Sequence, residues 1–197
     1  MFIEPPKPAP WYLRPMLWLA RKITGKDPLP ARLLAHFPKG AIGAGVFELT
    51  AAGARDLDAR TLAVARIVAS VVAGCPFCVD MNAATWQRAS LTPDDLRVLF
   101  RPDERRFEAI GAKEACAARY ARALSLTPVV VTPELEGELR LAFSEREIVV
   151  LATTIAQVNY WSRFNQGLGV PAAGFFDESV CSLPKHAIEP GARVELR

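Results

Sequence analysis

The stretch Leu62–Ala73 constrains this chain more than any other. It reads Leu-Ala-Val-Ala-Arg-Ile-Val-Ala-Ser-Val-Val-Ala, with apolar side chains on nearly every side of a helical wheel. Frequent alanine favours a helix over a strand, and a helix that is apolar all round has to be enclosed by other elements. The rest of the chain can supply that enclosure: of 197 residues, 51% are hydrophobic and 23% charged, which excludes a solvating disordered chain. A domain holds roughly 100–200 residues, so one core is expected rather than two. A mean hydropathy of +0.14 argues against several membrane spans.

The enclosing elements also read as helices, at about 29–37, 40–53, 57–73, 76–89, 93–99, 103–125, 133–142 and 145–168. Their starts are marked. Thr92-Pro93-Asp94-Asp95 and Thr132-Pro133-Glu134 place a capping hydroxyl before proline and acids, and Ser144-Glu145-Arg146-Glu147 is a capping box. Val129–Val131, a β-branched run between Pro128 and Thr132, is the best strand candidate and is short. The fold class expected is therefore all-α, a helical bundle. A faint similarity between Arg60–Asn82 and Arg146–Leu168, an arginine followed by a long apolar helix, is explained by common helix chemistry.

Three parts are expected: an arm over 1–27, a helical domain over 28–170 and a tail over 171–197. Pro5, Pro6, Pro8, Pro10 and Pro15 keep the arm extended until Pro15 opens a short helix over Met16–Ile23. Trp11, Tyr12 and Trp18 make the arm costly to leave in water, so it should pack on the body or on a neighbouring subunit. Pro171, Gly174, Pro184 and Pro190 give the tail an irregular path.

Residues 1–40 carry seven Lys/Arg against Glu4 and Asp27, net +5, which leaves −2 for the other 157 residues. That is too little clustered charge for a nucleic-acid partner. The apolar run Met16–Ala20 is too short for a secretory signal and no segment qualifies as a span, so a cytoplasmic protein without a membrane partner is expected.

In a reducing cytoplasm a close cysteine pair points to chemistry rather than to a staple. Cys75 and Cys78 form such a pair in Gly74-Cys75-Pro76-Phe77-Cys78. Gly74 can end the central helix in a left-handed conformation, and Pro76 can open the next, since a first-turn N–H has no helical partner. Cys75 then lies at the cap and Cys78 in the first turn, on one face and near enough to bond. A helix N-terminus lowers a thiol pKa, and a reachable thiolate there is the attacking species in both peroxide reduction and disulfide exchange. Other readings stay open. The pair can be ordinary core packing. Structural zinc would need four ligands, and Cys116, Cys181, His36 and His186 show no second paired spacing. A thioredoxin-like domain would need Ile67–Val72 to be a strand.

The long apolar helix, the Gly74–Cys78 turn, the helix after it and Leu91-Thr92-Pro93-Asp94-Asp95-Leu96 together resemble the alkylhydroperoxidase D-like group of the carboxymuconolactone decarboxylase family. Asn159-Tyr160-Trp161-Ser162-Arg163-Phe164-Asn165 resembles that family's C-terminal packing helix, and the likeness covers about residues 28–170. It implies an all-helical homo-oligomer, commonly a trimer or hexamer. It also implies a thiol-dependent peroxidase; the expected substrate is a hydroperoxide and the expected reductant an external dithiol, and no cofactor and no metal are expected. By position Cys78 would attack and Cys75 resolve. The family's proton relay places a glutamate twelve residues before the first cysteine and a histidine four after the second; those positions hold Ala63 and Asn82 here. Asn82 can hydrogen-bond a sulfur or a substrate oxygen but is no base. Asp80, Glu48 and Glu147 are the candidate replacements, although an acid at the position of Asp80 more simply answers the helix dipole from an exposed site.

The remaining candidates have plainer readings. Trp86, Tyr120, Tyr160, Trp161 and Phe164 read as core or interface. His36 sits near a helix end, Arg60 and Arg66 read as salt-bridge partners rather than holders of an acidic substrate, Cys116 as packing and Cys181 as a tail thiol. The rival functions are a decarboxylase or lactone-processing enzyme indifferent to both cysteines, and a non-catalytic helical binding module.

Overall fold

A computed structural model describes residues 1–8, 10–26, 29–51, 56–101, 103–177 and 179–180, and every regular element among them is helical. The helices are α1 (Arg14–Thr24), α2 (Leu29–Leu33), α3 (Pro38–Thr50), α4 (Ala59–Val72), α5 (Pro76–Ala83), α6 (Pro93–Leu99), α7 (Ala112–Ser125), α8 (Pro133–Ala142) and α9 (Glu145–Gly167). No helix among the described residues is long and apolar enough to cross a membrane.

The all-round apolar helix is the axle, α4. Asp58 caps it, accepting from the Thr61 amide and hydroxyl, each at 2.8 Å. Val64, Ala65, Ile67, Val68 and Ala69 are wholly buried, packed under α7, α9 and α5. Alanine lets these neighbours approach closely while the β-branched residues fill the gaps between them. The predicted starts of α6, α8 and α9 are all made by their caps: Thr92 with Asp95 and Ser144 with Glu147 form reciprocal capping boxes, and Thr132 accepts from the Leu135 amide.

Four boundaries differ from the sequence reading. The first predicted helix is α2 followed by a 3-10 turn over Leu34–His36, and the next begins at Pro38, whose ring suits a first helical position. The helix after the cysteines stops at Ala83; beyond it Thr85 and Trp86 donate to carbonyls three residues back, and Ser90 at φ 55° turns the chain toward α6. The expected helix over 103–125 is broken at Gly111, with a 3-10 stretch (Glu104–Ile110) before it and α7 after it. Gly111 sits at φ 109°, which a residue with a Cβ rarely adopts. Val129–Val131 is no strand: it is exposed, and among the described residues no second β segment exists to pair with it.

The arm packs on the body. Leu13 is buried with Leu34, Ala41 and Ala44, against Leu17, Trp161 and Phe164, and the His36 ring bonds the Glu4 carbonyl at 2.8 Å. Trp11 and Trp18 stay exposed. Past α9 the chain turns at Gly169 and lies over the α4–α5 junction: Val170 joins the cluster around the cysteines, and Phe176 enters the main core against Phe100. Residues 181–197, with Cys181 and His186, lie outside the described residues.

Candidate functional site

The junction of α4 and α5 fixes the cysteine pair from both sides. Gly74, at φ 67°, is the left-handed residue that ends α4. Its amide donates to the Val71 carbonyl at 3.0 Å, and the Cys75 amide donates to the Ser70 carbonyl at 3.2 Å, the two bonds of a Schellman cap. Cys75 is at the same time the N-cap of α5: its Sγ accepts from the Cys78 amide at 3.2 Å, with Pro76 at the first helical position. Cys75 and Cys78 are joined by a disulfide, with Cα atoms 5.3 Å apart. The sequence expectation that the two side chains share one face at a helix start is met. A sulfur freed at this place is close to the amide dipoles of the first turn, which favour its anionic form.

The expectation of a reachable sulfur is not met in this state: Cys75 is 0% and Cys78 1% exposed. The cover comes from distant chain, namely Leu33 before α3, Trp161 and Phe164 on α9, and Val170 and Phe175 beyond it. Beside the pair lies a slot of about 180 Å³. Its walls are Phe77, Met81, Trp161 and Phe175, and its polar groups are Glu48 and Asn165. Asn165 is the link to the sulfur. It is 1% exposed, its Nδ2 lies 3.5 Å from Cys78 Sγ, and its Oδ1 has no hydrogen-bond partner.

Of the three acids proposed as replacements for a relay, one reaches this slot. Glu48 Oε1 accepts from Gln157 Nε2 at 2.9 Å and from the Trp161 indole N–H. Glu147 is far off, bound to the Ser144 amide at 2.8 Å and paired with Lys113 at the start of α9. Asp80 is buried rather than exposed, and both its oxygens are taken: Oδ2 accepts from the Ala173 amide and Oδ1 from the Phe176 amide, each at 2.8 Å. Its acid therefore holds the tail over the site. The local sequence shows only an acid near a helix start, and the stretch of tail that it binds lies more than ninety residues away.

Residues 41–123 match the model of the carboxymuconolactone decarboxylase family. The matched segment runs from α3 to α7 and contains the whole α4–α5 junction. The uncharacterized protein YdfG of Bacillus subtilis (strain 168) is 27% identical over 118 residues, covering 59% of this chain and 79% of that protein. Among solved structures, apo debrominase Bmp8 superposes with a TM-score of 0.75 at 19% identity, over 89% of this chain and 94% of that one. A cysteine-to-alanine variant of Bmp8 in complex with 2,3,4-tribromopyrrole gives 0.75 at 18% identity, over 89% and 93%. ATU0492 of Agrobacterium tumefaciens, whose name relates it to the antioxidant defence protein AhpD, gives 0.64 at 21% identity, over 71% and 94%. Likeness at these identities shows a shared fold.

Within the matched segment, the two positions where the resemblance implies a relay have other uses. Asn82 ties α5 to α4: its Nδ2 donates to Ser70 Oγ and to the Cys78 carbonyl, each at 2.9 Å. Ala63 is buried and brings no polar group. Trp86 and Tyr120 pack in or against the main core, as expected, whereas Trp161 walls the slot and Tyr160 lies at the surface against Phe47. Cys116 is buried in the core, which pushes its thiol up to about 11. Arg60 is the expected ion-pair residue, 3.2 Å from Asp95 and 3.7 Å from Glu114. Among the described residues no cluster of three or more His, Cys, Asp or Glu could hold a metal. Sequence reasoning assigned no role to Asn165; an asparagine in the last turns of an otherwise packing helix was the available signal.

Proposed function

We propose that this chain is a thiol-dependent peroxidase and disulfide oxidoreductase in which Cys78 attacks and Cys75 resolves. The observation that carries the reading is the bonded Cys75–Cys78 pair at the start of α5, with a ligand-sized slot alongside. In the reduced protein, the Cys78 thiolate attacks the terminal oxygen of a hydroperoxide. The O–O bond breaks, Cys78 becomes a sulfenic acid, and the departing alkoxide takes a proton to leave as an alcohol. Cys75 then attacks the Cys78 sulfur; the S–S bond forms and water leaves. An external dithiol returns the pair to two thiols by exchange, becoming a disulfide itself. Glu48 is the ionisable group lining the slot; in this reading its carboxylate takes the proton of the Cys78 thiol and passes it to the alkoxide, while Asn165 orients the substrate beside Cys78. Asn82 and Asp80 serve the same site by position, Asn82 through α4 and Asp80 through the tail.

The reading places the protein in a reducing cytoplasm as a homo-oligomer. Ile42, Val46 and Leu49 recur on one face of α3 and are exposed, as a subunit contact would require. Sedimentation as a monomer at micromolar concentration would remove that part of the proposal.

A second reading is favoured by the apolar walls of the slot together with the fold shared with a debrominase. The same two thiols could reduce a small halogenated aromatic ring. Carbon–halogen bond cleavage then yields the hydrogen-substituted ring, halide, a proton and the Cys75–Cys78 disulfide. One experiment separates these readings. The reduced protein receives one equivalent of an organic hydroperoxide or of a bromopyrrole, and thiols are counted by mass. Loss of two hydrogens from the Cys75–Cys78 peptide with alcohol formed supports the first, and the same loss with bromide released supports the second. Turnover at the wild-type rate by Cys78→Ser would refute both.

A further inference from the structure

Arg66 departs from its sequence reading: no carboxylate pairs with it among the described residues. It lies on α4, largely buried, and its Nε is buried without a hydrogen-bond partner. Glu48 is near enough to favour its charge, yet no ion-pair contact joins them. Six residues earlier on the same helix, Arg60 has two carboxylates and two carbonyls around it. A guanidinium taken from water without such partners is a standing cost, one that an incoming anion would remove.

The surroundings of Arg66 are shaped for such a guest. It lines a pocket of about 170 Å³ between α4 and the turn after α5. Arg88 lines the same pocket; it is exposed, and no ion pair or hydrogen bond ties its side chain among the described residues. The other walls are Ala59, Leu62, Ala63 and Ala89, with Thr85, whose hydroxyl is committed to the Asn82 carbonyl at 3.0 Å. No acid lines it. Ala63 matters by its size, because any longer side chain there would reach into this space. No residue lines both this pocket and the slot beside Cys78.

We propose that Arg66 and Arg88 form a binding site for a small carboxylate with a short apolar body, such as a short-chain fatty acid or an aromatic acid. Two guanidinium groups present the planar N–H pairs that match a carboxylate. The methyl-lined walls suit a hydrocarbon portion better than the full hydration shell of inorganic phosphate. The site goes beyond the redox reading and does not depend on it.

The test is calorimetric titration of the full chain with benzoate and with butyrate, and with inorganic phosphate as the competing oxyanion. Saturable 1:1 binding of a carboxylate, weakened at least tenfold in Arg88→Gln and abolished in Arg88→Glu, is the expected result. Arg88 is exposed, so both variants keep the fold, which far-ultraviolet circular dichroism checks. A Cys75→Ser/Cys78→Ser double variant should bind as wild type does, which separates this site from the redox proposal. Absence of saturable carboxylate binding to the wild type, or unchanged affinity in Arg88→Gln, overturns the site. Tighter binding of phosphate than of either carboxylate overturns the assignment of its ligand.

Discussion

Replacing the Asp80 carboxylate by a neutral amide, in Asp80→Asn, should loosen the tail over the redox pair. Both oxygens accept backbone amides, from Ala173 and Phe176, at 2.8 Å in a buried setting. Losing a hydrogen bond to a buried charged group, with its donor left unpaired, costs about 1.5–3 kcal/mol. A carboxamide keeps one acceptor and turns an N–H toward the other backbone amide, so one bond is lost and one donor is opposed by another. A loss of about 2–3 kcal/mol in tail docking is expected. At roughly 1.4 kcal/mol per tenfold, opening of the tail becomes about 30–150 times more frequent.

Two measurements read that opening. Hydrogen exchange at the Ala173 and Phe176 amides should accelerate by that factor, while amides in the middle of α4 keep their protection. Phe175 stacks edge-on against Phe77, with ring centroids 5.8 Å apart, and walls the slot. Opening therefore also uncovers Cys78, and reduction of the disulfide by excess dithiol should speed up in parallel. Phe175→Ala is the control: it removes the cover but keeps both bonds to Asp80, so reduction quickens with little change in exchange at Ala173. Unchanged exchange at Ala173 and Phe176 in Asp80→Asn would refute the role given to Asp80, and faster exchange without faster reduction would refute the claim that the tail controls access.

Glu48→Gln keeps an acceptor for Trp161 and Gln157 but no exchangeable acid proton; peroxide turnover should fall about 10²-fold, with an unchanged melting temperature, and wild-type turnover would exclude Glu48 as the donor. Asn82→Ala removes the bonds to Ser70 and the Cys78 carbonyl and should destabilise the fold by about 1–3 kcal/mol in denaturant titration. Asp58→Ala removes the α4 cap at a cost of about 1 kcal/mol near neutral pH. Burial acts to raise the Asp58 pKa, but the Thr61 amide and hydroxyl and the Lys113 ammonium outweigh it and hold it below the ordinary value. A lowered folded pKa means that this contribution is present above the unfolded value and lost as pH falls through the folded one. The stability gap between Asp58→Ala and wild type should therefore narrow in acid; a gap that stays constant as the pH is lowered from neutral through the carboxylate range would contradict the assignment.

What the sequence disclosed and what it hid divide by range. The Gly74-Cys75-Pro76 junction was legible because its causes are local: a left-handed glycine, a capping side chain and a ring at a first helical position act within a few residues of one another. The hydroxyl and acid caps of α6, α8 and α9 were legible for the same reason. Helix ends without a cap signal were not, as at Ala83, where the chain tightens to reach α6, and at Gly111, where a 3-10 stretch gives way to α7. Asp80 was misplaced because its partners come from a tail remote in sequence, and the slot was missed because Glu48, Phe77, Trp161 and Phe175 meet only in the fold.

Arg60 and Arg66 make the same point within one helix. Six residues at about 100° each set them some 240° apart around α4, so the two identical side chains meet different neighbours. Arg60 faces the acids of α6 and α7, whereas Arg66 faces the methyl groups of Ala63 and Ala89 and the second cation of Arg88. Composition treats them alike, and only the packing around the axle shows that one charge is in contact with acids while the other has Glu48 near it but no ion-pair contact among the described residues. A largely buried guanidinium without an ion-pair contact beside an open volume can take an anion; the same group with acids in contact would contribute to stability instead. Arg66 and Arg88, without an ion-pair contact among the described residues, stand beside that open volume, and the carboxylate titration tests them as a binding pair.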